Sequence, residues 1–160
     1  MKILKIPAVI FLVLALFGFL DASYLTVQHY LGAIPPCFVT TGCETVLTSP
    51  YSVFLGLPVS LLGAVFYLLL FLLLAAYFDT KKSKLVLWAA YLAPIGFLSS
   101  LFLLYIQFFI LKELCSYCLV SAAVSTGLFL TGFVIILNPI FSAVFRNSSD
   151  LGWLSFPKYK

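Results

Sequence analysis

QHYLGAIPPCFVTTGCETVLTSPYSVFLGL, residues 28–57, is the one long stretch of this chain that cannot be read as part of a membrane helix. Pro35-Pro36, Gly42, Pro50 and Gly56 interrupt it too often for continuous helix. It carries Cys37 and Cys43, two of the chain's four cysteines. The apolar run 3–27 precedes it, and the runs 58–78, 85–111 and 115–137 follow. Each is long enough for the roughly 20 residues that a bilayer crossing needs. The other two cysteines, Cys115 and Cys118, open the last run. The expected fold is therefore an all-α integral membrane protein: a four-transmembrane-helix bundle with a cysteine loop and a short half-helix between the first two spans.

Composition excludes the alternatives. Of the 160 residues, 64% are hydrophobic and 9% charged, against about 45–50% and 25% in soluble domains. So little polar surface could not cover so large a core in water. The net charge of +4 does not point to nucleic acid, because the basic residues gather at the ends of apolar runs and form no stripe. No internal repeat or low-complexity linker divides the chain, so residues 1–160 are expected to form a single domain.

The first run could be mistaken for a signal peptide, since Lys2 and Lys5 supply a basic start. Its length, and the lack of a small-x-small site in Leu20-Asp21-Ala22-Ser23, favour an uncleaved first span. Residues 44–48 could form a short helical turn, and the apolar residues 51–57 could lie on or dip into the membrane. Pro58 stands at a tolerated first-turn position of the second span. Pro94-Ile95-Gly96 predicts a kink in the third. Asn138-Pro139 stops the fourth, leaving an interfacial tail with Arg146, Trp153, Lys158 and Lys160.

Basic residues in short loops set orientation. Lys2 and Lys5, then Lys81, Lys82 and Lys84, then the basic tail mark one side. The first long loop has no lysine or arginine, and the last turn has only Lys112. Both termini are thus expected in the cytoplasm, with both cysteine pairs outside, where disulfides persist.

That placement suits thiol–disulfide exchange, in which a thiolate attacks a disulfide through a mixed intermediate. In Cys115-Ser116-Tyr117-Cys118 the first cysteine meets the positive end of a helix dipole, which favours its thiolate. Cys118 lies one turn deeper and should face the bundle interior. The glycine-containing loop could present Cys37 to a partner and swing Cys43 toward Cys115. Plainer readings compete. Two structural disulfides suit Cys37 and Cys43, but a Cys115–Cys118 ring would lock almost no chain entropy. A four-cysteine metal site has similar spacings, although an oxidising compartment and the lack of a nearby ligating histidine oppose it. His29 reads as a helix-end residue at the interface. Clustering on one side of the membrane argues against inert buried thiols.

The electrons need an acceptor. No haem attachment, dinucleotide fingerprint or iron–sulfur spacing is present, so a membrane quinone is the expected one. It would bind in an apolar cavity between helices. Phe66, Tyr105, Phe108 and Phe109 are candidates for its wall.

With these residues in view, the chain resembles the vitamin K epoxide reductase family, specifically its prokaryotic quinone-reducing members. The resemblance rests on GFLDASYLT at 18–26, Cys37-x5-Cys43, Ser49, Ser60-x2-Gly63-x2-Phe66-Tyr67, Phe108-Phe109 and Cys115-x2-Cys118. It spans nearly the whole chain, and its order of a spaced pair first and CxxC last is specific. The resemblance implies a relay. An external thioredoxin-like thiol protein reduces a Cys37–Cys43 disulfide, Cys43 attacks Cys115, and Cys118 reacts with a ubiquinone- or menaquinone-type quinone. It places Ser49 in a half-helix near that quinone, with Leu47, Tyr51, Phe66 and Leu111 around it, and it implies no metal. Animal members carry an asparagine and a tyrosine where this chain has Val59 and Ala122, so efficient epoxide reduction is not expected. Many bacterial members continue into a fused thioredoxin-like domain; a chain of 160 residues is expected to use a separate partner. The competing reading is a non-catalytic membrane scaffold with structural disulfides or a metal held by the four cysteines.

Overall fold

The structure, a computed structural model, describes residues 2–37 and 42–137. Helix α1 (Lys2–Leu31) leads to the short α2 (Cys43–Leu47), a 3-10 turn (Pro50–Ser52), and a two-stranded antiparallel hairpin of β1 (Val53–Phe54) and β2 (Leu57–Pro58). Helices α3 (Val59–Thr80), α4 (Ser83–Tyr105) and α5 (Ser116–Leu137) follow, with a π-helical stretch, Ile106–Leu111, extending α4. Among the described residues, four helical segments are long and apolar enough to cross a membrane: Ile6–Leu31, Val59–Thr80, Lys84–Leu111 and Ser116–Leu137. A helix of 22 residues such as α3 rises about 33 Å, enough for a hydrocarbon core of about 30 Å. The expected tail beyond Asn138-Pro139 and the centre of the loop between Cys37 and Cys43 lie outside the described residues.

Helix α1 runs four residues past the expected boundary at Val27. Polar Gln28 and His29 do not end it; Gly32 does. With φ +64, Gly32 takes the left-handed conformation that closes helices. Its N–H reaches the His29 carbonyl at 3.2 Å, and the Ala33 N–H reaches the Gln28 carbonyl at 3.0 Å. These are the paired bonds of a Schellman cap. Of the apolar stretch 51–57, Tyr51 and Ser52 belong to the 3-10 turn, and residues 53–57 form a tight hairpin with Pro58. Leu55 and Gly56 both have positive φ, as a two-residue type I′ turn requires. Pro94 lies inside α4, which continues unbroken through it.

Helix α1 packs on α3 and α5, α4 packs chiefly on α5, and α3 meets α4 more sparsely. Lipid tails are as apolar as leucine, so contacts inside the bilayer depend on close fit and small residues. The buried core follows that rule, with Ala8, Ala15 and Ala22 on α1, Ala64 on α3, and Ala89, Ala90 and Ala93 on α4. Many leucines, valines and aromatics turn outward. Polar contacts also cross between helices among the described residues. Thr26 Oγ1 lies 3.2 Å from Ser60 Oγ, the Tyr67 hydroxyl lies 2.9 Å from Ser121 Oγ, and Ser125 Oγ donates to Ser100 Oγ at 2.8 Å.

Gly18 sets the approach of α1 to α3. A Cβ built there would meet the Tyr67 ring at 2.7–2.9 Å, and the hydrogen bond to Ser121 holds that ring in place. Gly18→Ala is accordingly expected to destabilise the bundle by about 1–3 kcal/mol, the usual cost of overpacking. Gly63→Ala adds a Cβ that meets only Ala22 Cβ, at 3.7 Å, and should be neutral or slightly stabilising, as alanine for glycine is in a helix. Thermal unfolding in detergent compares the two; equal shifts in Tm would contradict the assignment.

Candidate active site

The cysteines meet at one end of the bundle. Cys37 ends the extended segment after α1, Cys43 is the first residue of α2, and the two are joined by a disulfide across a Cα separation of 5.9 Å. Cys115 and Cys118 are free thiols. Leu25, Cys43, Val46, Cys115 and Tyr117 form one buried cluster, with Cys37, Leu47, Leu111 and Cys118 packed against it. Cys43 is 2% exposed and Cys115 fully buried.

Two contacts hold the first pair against the second. The Tyr117 hydroxyl on α5 donates to the Pro36 carbonyl at 3.1 Å, fixing the backbone next to Cys37. Gly42, next to Cys43, presses against the turn between α4 and α5. A Cβ there would stand 2.6–2.9 Å from the Glu113 side chain and the Leu114 amide nitrogen. Only a residue without a side chain lets α2 begin so close to Cys115.

The turn is shaped by the π-helical stretch. Its wider winding brings Gln107 inward, where it is 2% exposed. The Gln107 carbonyl accepts from the Glu113 N–H at 3.2 Å, and its Oε1 accepts from the Cys115 N–H at 3.1 Å. Isolated π turns are frequent at functional sites. One glutamine thus anchors the backbone on which the second cysteine pair is mounted.

Cys115 immediately precedes α5, so its sulfur stands at the positive end of a helix dipole. A hydrogen bond with Cys118, helped by the backbone N–H groups of Cys118 and Tyr117, lowers its thiol from the ordinary 9.0 to about 7, against the opposing effect of burial. The shift favours the thiolate, the reactive form.

Cys118, one turn deeper, lines a chamber of about 780 Å³ between the helices, within the range of small-molecule sites. Leu47, Ser49, Tyr51, Phe66 and Leu111, all singled out from the sequence, line the same chamber, as does Val59. Cys37, Cys43, Cys115 and Ala122 are not among its wall residues. Tyr105, Phe108 and Phe109 are exposed on the outer surface and do not form the wall expected of them. Ser49 is buried, and its hydroxyl donates to the Val46 carbonyl at 2.7 Å, which ties it to the end of the half-helix. Among the described residues, no three His, Cys, Asp or Glu side chains converge to hold a metal.

Asp21 and Gln107 also line the chamber, and the sequence reading gives neither a role. Both leave a signal there: Asp21 is the one charged residue between Lys5 and Glu44, and Gln107 is the one amide in the third span. The family model described as Vitamin K epoxide reductase family matches residues 9–133, which include all four cysteines and the chamber. No curated protein matches the chain.

The electrostatics of Cys115 predict a pH dependence. In reduced protein with Cys37 and Cys43 replaced by alanine, a small membrane-permeant alkylator should modify Cys115 slowly below pH 7 and quickly above it. The inflection should lie at about 7 and not at 9. Cys118→Ala removes the leading hydrogen bond, so the inflection should move upward. An inflection that ignores the loss of Cys118 would contradict this cause.

Proposed function

The chain belongs to the vitamin K epoxide reductase family, which makes it a membrane disulfide oxidoreductase, and from that premise we propose the path its electrons take. An external thioredoxin-like protein is the donor, the two cysteine pairs are the relay, and a membrane quinone of ubiquinone or menaquinone type is the acceptor. One observation carries this reading. All four sulfurs belong to a single packed cluster, of which Cys118 alone lines the chamber.

The steps balance as a two-electron transfer. A donor thiolate attacks Cys37 and breaks its bond to Cys43. The donor's second thiol then releases Cys37 and leaves the donor oxidised. Cys43 attacks Cys115 of an oxidised Cys115–Cys118 pair and expels Cys118. Cys37 attacks Cys43, restoring the first disulfide and freeing Cys115. The Cys115–Cys118 dithiol passes two electrons and two protons to the quinone, giving quinol and closing the second disulfide.

A thiol of lowered pKa is the better leaving group in exchange, so Cys115 is suited to being released by Cys37. The lysine bias supports cytoplasmic termini and an extracytoplasmic cysteine end, where a secreted thiol protein can reach Cys37. Val59 and Ala122 offer no hydrogen-bonding side chain where animal members carry asparagine and tyrosine, which supports quinone over epoxide as substrate.

Anaerobic reduction of a soluble quinone by purified protein and a dithiol donor tests the reading. Wild type should form quinol with either a protein dithiol or a small permeant dithiol. Cys37→Ala should lose the protein donor but retain part of the small-dithiol rate, because such a donor can reach the second pair directly. Cys118→Ala should lose both. Equal, complete loss in both variants with both donors would contradict the order of the relay.

A further inference from the structure

Asp21 lies in α1, within a membrane-spanning segment. Ionisable side chains are costly at such depth and mark proton or ion pathways. Asp21 is half-buried, and its Oδ2 is buried with no hydrogen-bond partner. It lines the chamber that contains Cys118. It also borders a second, shallow groove between α1 and α5, beside Phe17, Ser116 and Tyr117. Asp21 therefore stands in the wall between the chamber and the outer face of the bundle.

Several other polar groups of the chamber wall are already engaged. The Tyr67 hydroxyl is held by Ser121, the Ser49 hydroxyl donates to Val46, and Gln107 Oε1 accepts from Cys115 N–H. The titratable groups within electrostatic reach of Asp21 are Tyr67 on α3 and Cys115, Tyr117 and Cys118 at the start of α5. On α1 itself, His29 lines the same chamber, about 12 Å further along the helix. None of these is a fixed cation. Gly18, one turn before Asp21, admits the Tyr67 ring against α1 and so keeps this face of the helix turned into the bundle.

We propose that Asp21 is the proton carrier of the quinone-reducing step, an inference that rests on the electron path proposed above. Closing the Cys115–Cys118 disulfide releases two electrons and two protons, and forming quinol consumes both. Protonated Asp21 donates a proton to a quinone oxygen as the sulfurs supply the electrons. One of the two protons lost from the dithiol then restores the carboxyl, and the other completes the quinol. Asp21 ends the cycle unchanged, and no outside oxidant or reductant is required.

The test uses the full chain in detergent, pre-reduced and mixed anaerobically with a short-chain water-soluble ubiquinone analogue across a range of pH. A thiolate that must form and an acid that must keep its proton together predict a wild-type rate that rises with pH and then falls. D21N should slow quinol formation about a hundredfold, the scale of general acid–base catalysis, and lose the falling limb. D21E should recover both rate and limb. Reduction of the Cys115–Cys118 disulfide by dithiol, followed separately by thiol labelling, should proceed in D21N. A wild-type rate with an intact falling limb in D21N would overturn the proposal. So would equal loss of quinol formation and dithiol exchange with a lowered Tm that D21E fails to rescue, since Asp21 would then serve packing. Wild type that exchanges thiols but forms no quinol would instead overturn the quinone reading, and the proton carrier with it.

Discussion

A buried sulfur reacts only with the sulfur that packing sets against it, and the rest of this structure depends on that constraint. Cys43 and Cys115 are almost completely removed from solvent, so neither can be approached freely by a diffusing thiol. They share one cluster because Gly42 lets α2 begin against the turn between α4 and α5. A side chain at Gly42 would push the two elements apart. Tyr117 acts from the other side, holding the Pro36 backbone to α5. In the relay proposed above, the order of exchange is thus a property of contact, set before any difference in thiol chemistry.

The bundle beneath supplies a rigid base by the means open to membrane proteins. Hydrophobic burial does not distinguish one apolar helix face from another in lipid, so small residues and a few polar contacts select the pairing. The alanines of α1 and α4, Gly18 against Tyr67, and the serine pair Ser100–Ser125 do this here. The same arrangement leaves room between the helices. Close packing of α1 on α3 and of α4 on α5, with a sparser contact of α3 on α4, leaves a chamber that reaches from Ser49 to Cys118.

Much of this is legible in the residues, because span length and breaker density follow from backbone physics alone. The four apolar runs and the turn at α2 stand close to where chain chemistry puts them. The overrun of α1 to Leu31 shows that a left-handed glycine, and not the first polar residue, ends a helix. The hairpin is harder to see because Leu55-Gly56 lacks the asparagine or aspartate that usually announces such a turn. The π-helical stretch carries no residue signature, so the inward position of Gln107 is not readable. Facing is the largest blind spot. Helices that are apolar on every side have no periodicity to reveal the buried face, which is why Tyr105, Phe108 and Phe109 look like wall residues in the sequence and Asp21 does not.

The claim that packing alone pairs Cys43 with Cys115 can be measured with the other two sulfurs removed. In a Cys37→Ala/Cys118→Ala double variant, mild oxidation should produce one intramolecular disulfide, and peptide mapping under non-reducing conditions should assign it to Cys43 and Cys115. A native disulfide needs Cα atoms within about 7 Å, so efficient closure at low protein concentration reports their contact directly. Two unreacted thiols, or covalent dimers in place of the internal bond, would contradict the account.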